Sequence, residues 1–194
     1  MKIFVCECDH MRAWQHFKVI TRHRWLVRQG CFRVGLYWQG LTHDLSKYSP
    51  TEFLTGVRFF QGTRSPNTAE REKKGYSEAW IHHKGRNRHH YEYWSDLCLE
   101  TRRYEYVPMP RKYLVEMVMD RRAACMVYQG KNYHPGSELE YLDKSMEKAL
   151  INPQTRRELE FILSMLRDKG ENETFTYIRT HVLKGKPFPW EMSE

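Results

Sequence analysis

Long hydrophobic runs are absent from the sequence. No apolar stretch approaches the roughly 18 to 20 residues that a helix needs to cross a bilayer. The segment Met1–Asp9 is too short and too polar for a secretory signal. We therefore expect a soluble, cytoplasmic protein that does not associate with membranes.

A disulfide framework is missing as well. The five cysteines form an odd number without regular spacing, which favours a reducing compartment over a disulfide-stabilised fold. Cys6, Cys8 and His10 in the segment CECDH could form part of a zinc site. A closed zinc site needs four ligands, however, and no second Cys/His pair with matching spacing lies nearby in the sequence. The pattern therefore argues against structural zinc.

Alternating polar and apolar runs are scarce, and no internal repeat is present. Apolar residues recur mostly at spacings of three and four, which predicts helices rather than strands. Helix-start signals agree with this, since SPTE at Ser49–Glu52, SELE at Ser137–Glu140 and NPQT at Asn152–Thr155 each place a capping residue before a first helical turn. We predict an all-α, single-domain helical bundle over residues 1–194, with its core at about 11–183 and a C-terminal tail at 184–194.

Nine helices are expected along the chain. They span Met11–Gln29, Phe32–Gln39, Thr51–Phe60, Tyr76–His83, Arg88–Thr101, Arg111–Tyr128, Glu138–Leu150, Pro153–Asp168 and Thr174–Leu183. The polar segment Gln61–Gly75 contains two glycines and a proline, which indicates a long mobile connection. This connection could cover a cleft, or it could be a solvated loop without a role.

Acidic residues are fewer than basic ones. The 32 lysines and arginines exceed the 24 aspartates and glutamates, which gives a net charge of +8. This excess favours anionic partners such as nucleotides, nucleic acid or acidic surfaces, without choosing among them.

An imidazole and a carboxylate lie side by side in the stretch GLTHDLSKYSPTEF, at His43 and Asp44. A divalent ion needs several nitrogen or oxygen ligands, which usually come from separate helices packed around one point. Adjacent residues diverge by about 100° on a helix, but both can face one ion where a helix ends. Since Pro50 marks the start of the next element, His43 and Asp44 are candidate metal ligands.

Two further candidates lie on apolar helix faces. His23 follows the same stripe as Ile20 and Val27, although a histidine in this setting is more often a satisfied core residue. Asp120 shares a face with Met117, Ala124 and Val127, and burying its charge costs several kcal/mol unless a cation meets it. The carboxylate of Glu116 stands four residues earlier on the same helix and adds to the need for a cation. A salt bridge to an arginine is the alternative for Asp120.

The ligand order H, HD, D at His23, His43–Asp44 and Asp120 resembles the HD-domain superfamily of metal-dependent phosphohydrolases over roughly residues 16–128. The motif HDLSK is similar to the HD-x-x-K form of that superfamily. The resemblance implies a bundle of HD-domain type, a metal-binding role for His43 and Asp44, and a phosphate-facing role for Lys47. Together with the block AWIHHKGRNRHHYEYW, this motif is also similar to a family of small bacterial and phage proteins without an assigned function.

Four of the ten histidines lie in that second block, at Ala79–Trp94. His82 and His89, like His83 and His90, are seven residues apart, or about 10.5 Å along one helix. Two nitrogens on one ion lie within about 4.2 Å of each other, so a continuous helix would keep each pair apart.

A break at Gly85 would bring His83 and either His89 or His90 to a second ion. In the alternative interpretation, His82 and His89 are exposed and Arg86, Asn87 and Arg88 form a solvated face. The aromatic residues of the block either belong to the core or stack on a base; they are Trp80, Tyr91, Tyr93 and Trp94.

The resemblance implies a metal-dependent phosphohydrolase that acts on a nucleotide or another small phosphate ester. One or two divalent transition metal ions (Mn, Fe, Co, Ni or Zn) are expected, with ligands at His23, His43, Asp44 and Asp120. Lys47 would stabilise charge on the phosphate, and His83 and His90 would complete a second metal position or protonate the leaving oxygen. Arg86, Asn87 and Arg88 are the predicted substrate-binding residues.

Two different functions stay open at this point. Some members of the superfamily hold two irons and activate oxygen, so a di-iron oxygenase of HD type is one of them. The second is a non-enzymatic basic helical module that binds nucleic acid or a protein partner, with its histidines in structural roles. The sequence leaves the oligomeric state open, including a homodimer.

Overall fold

Nine α-helices and one β-hairpin form the part of the chain that the computed structural model describes, residues 7–145 and 147–192. The helices are α1 (Glu7–Val34), α2 (Tyr37–Thr42), α3 (Pro50–Arg58), α4 (Pro66–Lys74), α5 (Glu78–Lys84), α6 (Arg111–Gln129), α7 (Ser137–Lys144), α8 (Glu147–Leu150) and α9 (Pro153–Thr180). Short 3-10 turns occupy Leu45–Tyr48, Tyr91–Tyr93, Gly130–Asn132, Val182–Lys184 and Pro189–Met192. The predicted helical fold is confirmed. The zinc site considered at Cys6 and Cys8 falls on side chains outside this description.

The hairpin lies where a helix over Arg88–Thr101 was expected, and that prediction is wrong. Strands β1 (Ser95–Cys98) and β2 (Arg103–Tyr106) pair antiparallel, with Ser95 opposite Tyr106. Arg102 closes the turn with a φ of 53°, a left-handed conformation that ends helical continuation. Spacings of three among the aromatic residues suit a helix, but aromatic and β-branched residues also favour strands. The hairpin is a small addition to a mostly helical structure, which fits the predicted all-α class.

The segment expected to be a mobile connection contains helix α4. Ser65 precedes Pro66 at the first helical position, and Gly75 ends the helix in a left-handed conformation with a φ of 85°. These are the start and stop signals of an ordinary helix, although the polar composition of the segment hides them. Helix α4 packs against α3, so this segment forms a wall of the fold rather than a free loop.

The boundary between the first two helices lies later in the chain than predicted. Helix α1 continues through Gly30, where an added Cβ would lie 2.7 Å from the sulfur of Met119. The glycine thus allows close packing of α1 on α6, and the chain reverses five residues later at Gly35, whose φ is 88°. The predicted helix Phe32–Gln39 is therefore wrong.

The C-terminal predictions also need correction. Residues 138–150 form two helices, α7 and α8, rather than one. Helix α9 joins the two predicted helices across a kink at Gly170, where φ is 72° and ψ is 179°. The predicted tail packs onto the fold, because Phe188 is buried and its ring lies 5.7 Å from that of Phe161.

The hydrophobic core lies between α1, α6 and α9. Leu114, Val115, Val118 and Met119 of α6 are fully buried, and burial of such side chains stabilises a fold by about 1.5 to 3 kcal/mol each. Because α1 and α6 cross this core side by side, polar residues on their faces next to α3 and α5 meet at one point. No helix among the described residues is long and apolar enough to span a membrane.

Candidate metal centre

The chain turns sharply at His43 and Asp44. Helix α2 ends at Thr42, His43 follows with extended backbone (φ −48°, ψ 127°), and Asp44 is left-handed (φ 53°, ψ 27°). A left-handed backbone is costly for most residues and is least so for Asn, Asp and Gly. The turn directs two consecutive side chains to the same buried point, and Asp44 is 0% exposed there.

His23 from α1 and Asp120 from α6 meet this pair. His23 Nε2 lies 3.0 Å from Asp120 Oδ1, 3.5 Å from Asp44 Oδ2 and 3.4 Å from His43 Nε2. His43 Nε2 lies 3.3 Å from Asp44 Oδ2 and 3.5 Å from Asp120 Oδ1. Ligands at about 2.1 Å from a metal ion are separated from one another by about 3.0 to 3.4 Å in octahedral or tetrahedral arrangements. The four donors therefore have the mutual spacing of a single ligand shell.

The other oxygen of Asp44 faces a second group of histidines. Asp44 Oδ1 lies 3.2 Å from His83 Nε2 and 3.4 Å from His89 Nε2. His90 belongs to the same group, whose four donor atoms lie within 4.8 Å of one another. Helix α5 ends just before Gly85, and the following turn brings His89 and His90 back beside His83. Asp44 thus gives one oxygen to each of two adjacent groups.

Two buried glutamates lie behind the histidines. Glu116 Oε1 lies 2.9 Å from His43 Nδ1 and 3.2 Å from His89 Nδ1. Glu52 Oε2 lies 2.7 Å from His83 Nδ1. A carboxylate accepts a hydrogen bond, so these contacts place the proton on Nδ1 and leave a lone pair on each Nε2. The Nε2 atoms that face Asp44 are therefore set up as acceptors or ligands.

Several buried atoms of this cluster that could ligate a metal lack a hydrogen bond. Asp44 Oδ1, His89 Nε2 and His90 Nε2 are buried and have no hydrogen-bond partner among the described residues. Lone pairs that converge without a proton or cation between them are unfavourable in a buried site. Imidazole nitrogens and carboxylate oxygens in this arrangement fit divalent transition metals. The donor set therefore passes the chemical test for one or two metal ions.

The electrostatics of the cluster point the same way. Burial alone would lower the pKa of the His43 imidazole, but the charge of Asp44 and hydrogen bonds to Asp120 and Glu116 raise it well above its usual range. Burial alone would raise the pKa of Asp44, but the charges of His43 and Lys47 hold it well below its usual range. The carboxylates thus attract positive charge, which protons or metal ions can supply.

Lys47 lies beside the same carboxylate. Its Nζ is 2.6 Å from Asp44 Oδ2, three residues earlier in the chain. Burial would lower the pKa of the Lys47 amine, but the carboxylates of Asp44 and Asp120 raise it, so the side chain stays cationic. Lys47 also lines the cavity next to the cluster. This position in the cavity wall would allow Lys47 to contact a phosphate group, and that contact stays a prediction.

A cavity of about 520 Å³ opens beside the cluster. His23, His83, His90 and Asp120 of the donor cluster line it on one side. The rest of the wall is apolar and aromatic with a few polar groups, and includes Val19, Ile20, Phe60, Met117, Trp80, Tyr128, His16, Arg64 and Arg121. A cavity of this size and lining accommodates an organic molecule rather than a bare inorganic ion.

The three predicted substrate-binding residues lie elsewhere. Arg86 is exposed and donates to the His82 carbonyl at 3.1 Å, and Arg88 is exposed and donates to the Tyr113 hydroxyl at 3.1 Å. Asn87 donates to Ser46 Oγ at 2.8 Å and holds the turn after α5. None of the three lines the cavity, so their location does not support the prediction that they contact substrate.

His82 and His89 differ in their surroundings. His89 is 1% exposed, so the interpretation that places both rings on the surface is wrong for His89. His82 lies at the edge of the cluster, with its Nδ1 2.7 Å from Glu52 Oε1.

Asp120 contacts histidines rather than an arginine. His23 and His43 lie within 3.5 Å of its Oδ1. These contacts take the place of the salt bridge to an arginine that was the alternative prediction. The carboxylate of Asp120 therefore belongs to the donor cluster.

The sequence analysis did not identify Glu52, which lies behind the histidines, or His16, which lines the cavity. Glu52 looks like the last residue of a capping box, and its backbone N–H does donate to Ser49 Oγ at 3.4 Å, but its side chain faces His82 and His83. His16 lies about two helical turns before His23, buried between the rings of Phe53 and Phe60. Its position seven residues before His23 was the available signal.

Comparison with family models matches residues 12–165 to the model described as "Family of unknown function (DUF5662)". No curated protein and no solved structure matches the chain.

Proposed function

We propose a hydrolytic function for this chain, which belongs to the family of unknown function DUF5662. In this proposal it is a metal-dependent phosphohydrolase of HD type that acts on a nucleotide or another small phosphate ester. Two metal ions would share Asp44. His23, His43 and Asp120 would hold one of them, and His83, His89 and His90 would hold the other.

The observation that carries the proposal is that the two oxygens of the Asp44 carboxylate face different groups of histidines. Oδ2 faces His23 and His43 at 3.5 and 3.3 Å, and Oδ1 faces His83 and His89 at 3.2 and 3.4 Å. A buried aspartate that needed only charge compensation would be satisfied by one lysine. Convergence of four imidazole nitrogens on its two oxygens instead supports a bridging ligand between two adjacent cations.

The proposed chemistry assigns roles to the residues around Asp44. A bound divalent ion would supply a Lewis acid and a coordinated water of lowered pKa. Lys47 would neutralise negative charge that develops on the phosphate oxygens, because it is cationic and lines the cavity. Glu52 and Glu116 would hold the imidazoles in the orientation and tautomer that leave Nε2 free.

His90 fits one of its two predicted roles better than the other. Burial and the neighbouring His89 and His83 lower its pKa well below the usual range, so the neutral ring carries no extra proton to donate near pH 7. This supports His90 as a ligand of the second metal position rather than as the acid that protonates the leaving oxygen.

The cavity and the net charge support the proposed substrate class. A net charge of +8 favours anionic substrates, and the cavity of about 520 Å³ leaves room for an organic group next to the phosphate. Lys47 and Arg121 place cationic groups on its wall, and Trp80 and Tyr128 add aromatic surface. A nucleoside phosphate combines the charge, size and planar group that these features suit.

Elemental analysis of the purified full-length protein tests the metal proposal. We expect near-stoichiometric manganese, iron, cobalt, nickel or zinc, and its loss in an Asp44→Asn variant whose folding is matched by circular dichroism. Asp96→Asn, an exposed site on β1, is the control and should retain the metal. Protein that carries no metal and takes up none on titration would overturn the proposal.

An activity screen tests the reaction class. Loaded protein is assayed with nucleoside monophosphates, p-nitrophenyl phosphate and bis(p-nitrophenyl) phosphate, which separates monoester from diester hydrolysis. Phosphate release that is abolished by Asp44→Asn supports the hydrolase. Bound iron with visible absorbance and oxygen consumption, without phosphate release, would favour the di-iron oxygenase instead.

A further inference from the structure

Helix α1 has an outer face on which two basic residues lie between two tryptophans. We call this the basic-aromatic face; it consists of Met11, Trp14, Lys18, Arg22 and Trp25, all of them exposed. At 100° per residue these five positions lie within an arc of about 80°, on the side opposite the buried His16, His23 and Val27. Trp14 is 57% and Trp25 48% exposed, which is high for tryptophan.

The charge of this part of the chain has one sign. From His10 to His43 the sequence has six basic residues and no aspartate or glutamate. Two of the six have partners within the fold: Arg24 donates to the His43 carbonyl at 2.7 Å, and Arg33 pairs with Glu171. The others, including Lys18 and Arg22, form no ion pair with the described side chains. The face therefore presents unneutralised positive charge.

This charge pattern argues against a second copy of the chain as the partner. A two-fold contact brings the same patch of both molecules together, so Lys18 and Arg22 would face their own copies. Interfaces of that kind are unfavourable without acidic residues to intervene, and α1 offers none from position 10 onward. The complementary partner is therefore anionic.

The order of residues along the helix also separates two anionic partners. Helices that lie in a membrane interface divide into an apolar face and a basic face. On α1 Lys18 and Arg22 lie between Trp14 and Trp25 within one stripe, and Lys18 Nζ lies 5.2 Å from the centre of the Trp14 ring. Cations and aromatic rings that share one surface are typical of proteins that bind single-stranded nucleic acid, where bases stack on rings and cations contact phosphates.

We propose that the basic-aromatic face binds single-stranded nucleic acid. Trp14 and Trp25 are eleven residues apart, or about 16 Å along α1. This distance corresponds to about five nucleotides at a stacked spacing of about 3.4 Å. Trp25 stacks on a base at one end of this stretch, and Lys18 and Arg22 contact the phosphates between the tryptophans. The face lies on the outside of α1 and does not depend on the metal centre.

Fluorescence anisotropy of the full-length protein with labelled 20-nucleotide oligo-dT and oligo-U tests the proposal. We expect binding that weakens with salt, and a log–log salt slope that is about 1.4 smaller for Lys18→Glu/Arg22→Glu than for the wild type. Trp25→Ala should weaken binding at least fivefold, in line with the roughly 1 to 3 kcal/mol of a stacked base. Trp25→Phe should retain most of the affinity.

Matched controls separate this face from general charge and from the metal centre. Lys131→Glu/Lys186→Glu changes the same charge elsewhere, and Tyr104→Ala removes an exposed aromatic residue from the hairpin. Both should bind as the wild type does. Asp44→Asn should also bind normally, so that failure of the hydrolase proposal leaves this one unaffected.

Three outcomes would overturn the proposal. The first is no oligonucleotide binding at 50 mM salt. The second is equal loss of binding in the control variants. The third is a failure to bind oligonucleotides together with either a dimer by light scattering or binding to anionic phosphatidylserine vesicles, where Trp25→Ala abolishes the dimer or the vesicle binding. A dimer would assign the face to a protein partner, and vesicle binding would assign it to a membrane. Circular dichroism and thermal unfolding of each variant verify that the fold is intact.

Discussion

Glu116 Oε1 accepts a hydrogen bond of 2.9 Å from Nδ1 of His43, and both residues are buried. The same oxygen lies 3.2 Å from Nδ1 of His89. One carboxylate atom therefore orients one histidine from each of the two donor groups around Asp44.

Replacement of Glu116 should weaken metal binding at both positions. Loss of such an outer carboxylate typically costs about 10- to 100-fold in metal affinity. Glu116→Gln keeps an acceptor oxygen but removes the charge, so we expect a smaller loss than for Glu116→Ala. Calorimetric titration with Mn²⁺ or Zn²⁺ measures both affinities. Glu105→Gln on the exposed hairpin is the control, and an effect of Glu116→Ala at only one position would contradict the shared role.

The number of bound ions in each variant should depend on which of the two ligand groups has lost a residue. His23→Ala removes a donor of the first group alone, and His89→Ala one of the second alone, so each should retain about one ion. Asp44→Asn should retain none, because the amide has no negative charge and keeps only one oxygen for two groups. Metal content per protein, measured by elemental analysis after gel filtration, gives the three values. Two ions in Asp44→Asn would show that Asp44 does not bridge them.

Substitution of Gly56 should destabilise the fold at the wall of the cavity. A Cβ at this position would lie 2.2 Å from His16 Nε2, and the His16 ring is enclosed by Phe53 and Phe60. Overpacking of this kind costs about 1 to 3 kcal/mol, so Gly56→Ala should lower the free energy of unfolding by that amount in urea.

Gly85→Ala is the matched comparison for Gly56→Ala. Gly85 has an ordinary helical φ of −73°, and the nearest atom to an added Cβ is the Ile81 carbonyl oxygen at 3.4 Å. We expect no loss of stability and full metal content in Gly85→Ala. A large loss would mean that the turn after α5 does require glycine.

Glu171 should make stability depend on pH in the acidic range. It pairs with Arg33 of α1 and with Arg122 of α6, and so ties α9 to both helices. Burial would raise the pKa of Glu171, but these two arginines lower it below 4.5. Because the folded pKa is the lower one, this stabilisation is present above the unfolded pKa and is lost as the pH falls through the folded pKa.

Glu171→Gln should therefore cost about 1 kcal/mol at pH 7, a modest value because solvent reaches a third of the side chain. The cost should be smaller at pH 3 than at pH 7. Urea unfolding at both pH values measures it. Asp168→Asn is the control, since its pair with Arg167 is exposed and its removal should leave stability unchanged. A cost for Glu171→Gln that is equal at both pH values would contradict the assignment.

Cys98 should be the most reactive of the three described cysteines. A hydrogen bond from the Thr101 side chain lowers the pKa of the Cys98 thiol, whereas burial raises the pKa of Cys125 to about 12 and raises that of Cys31 further. Since the thiolate is the reactive form, iodoacetamide at pH 7.5 should modify Cys98 before Cys31 and Cys125. Peptide mass spectrometry measures the three rates. Equal rates in the folded protein would contradict the prediction.

The sequence was informative where the helical period alone decides the geometry. His23 and Asp120 were found because their positions on apolar faces bring them inward, and α1 and α6 do cross at the core. The role of Glu52 was hidden, because the same residue satisfies a local capping pattern and a contact 31 residues away. Helix α4 and the hairpin were missed since polar composition and aromatic spacing of three do not fix secondary structure. Long-range contacts such as that of Glu116 with His89 depend on the packed fold and have no local signature.

The donors at the candidate centre come from α1, the turn after α2, α5 and the segment that follows it, and α6. The most distant pair in sequence, His23 and Asp120, is 97 residues apart. An ion held by all of them would act as a crosslink that the unfolded chain cannot form, and it would close several loops of the chain at once. The free energy of unfolding would then rise with metal concentration, by about 2.7 kcal/mol at a free concentration 100 times the Kd. In a cell, the lifetime of this protein would follow the supply of its metal.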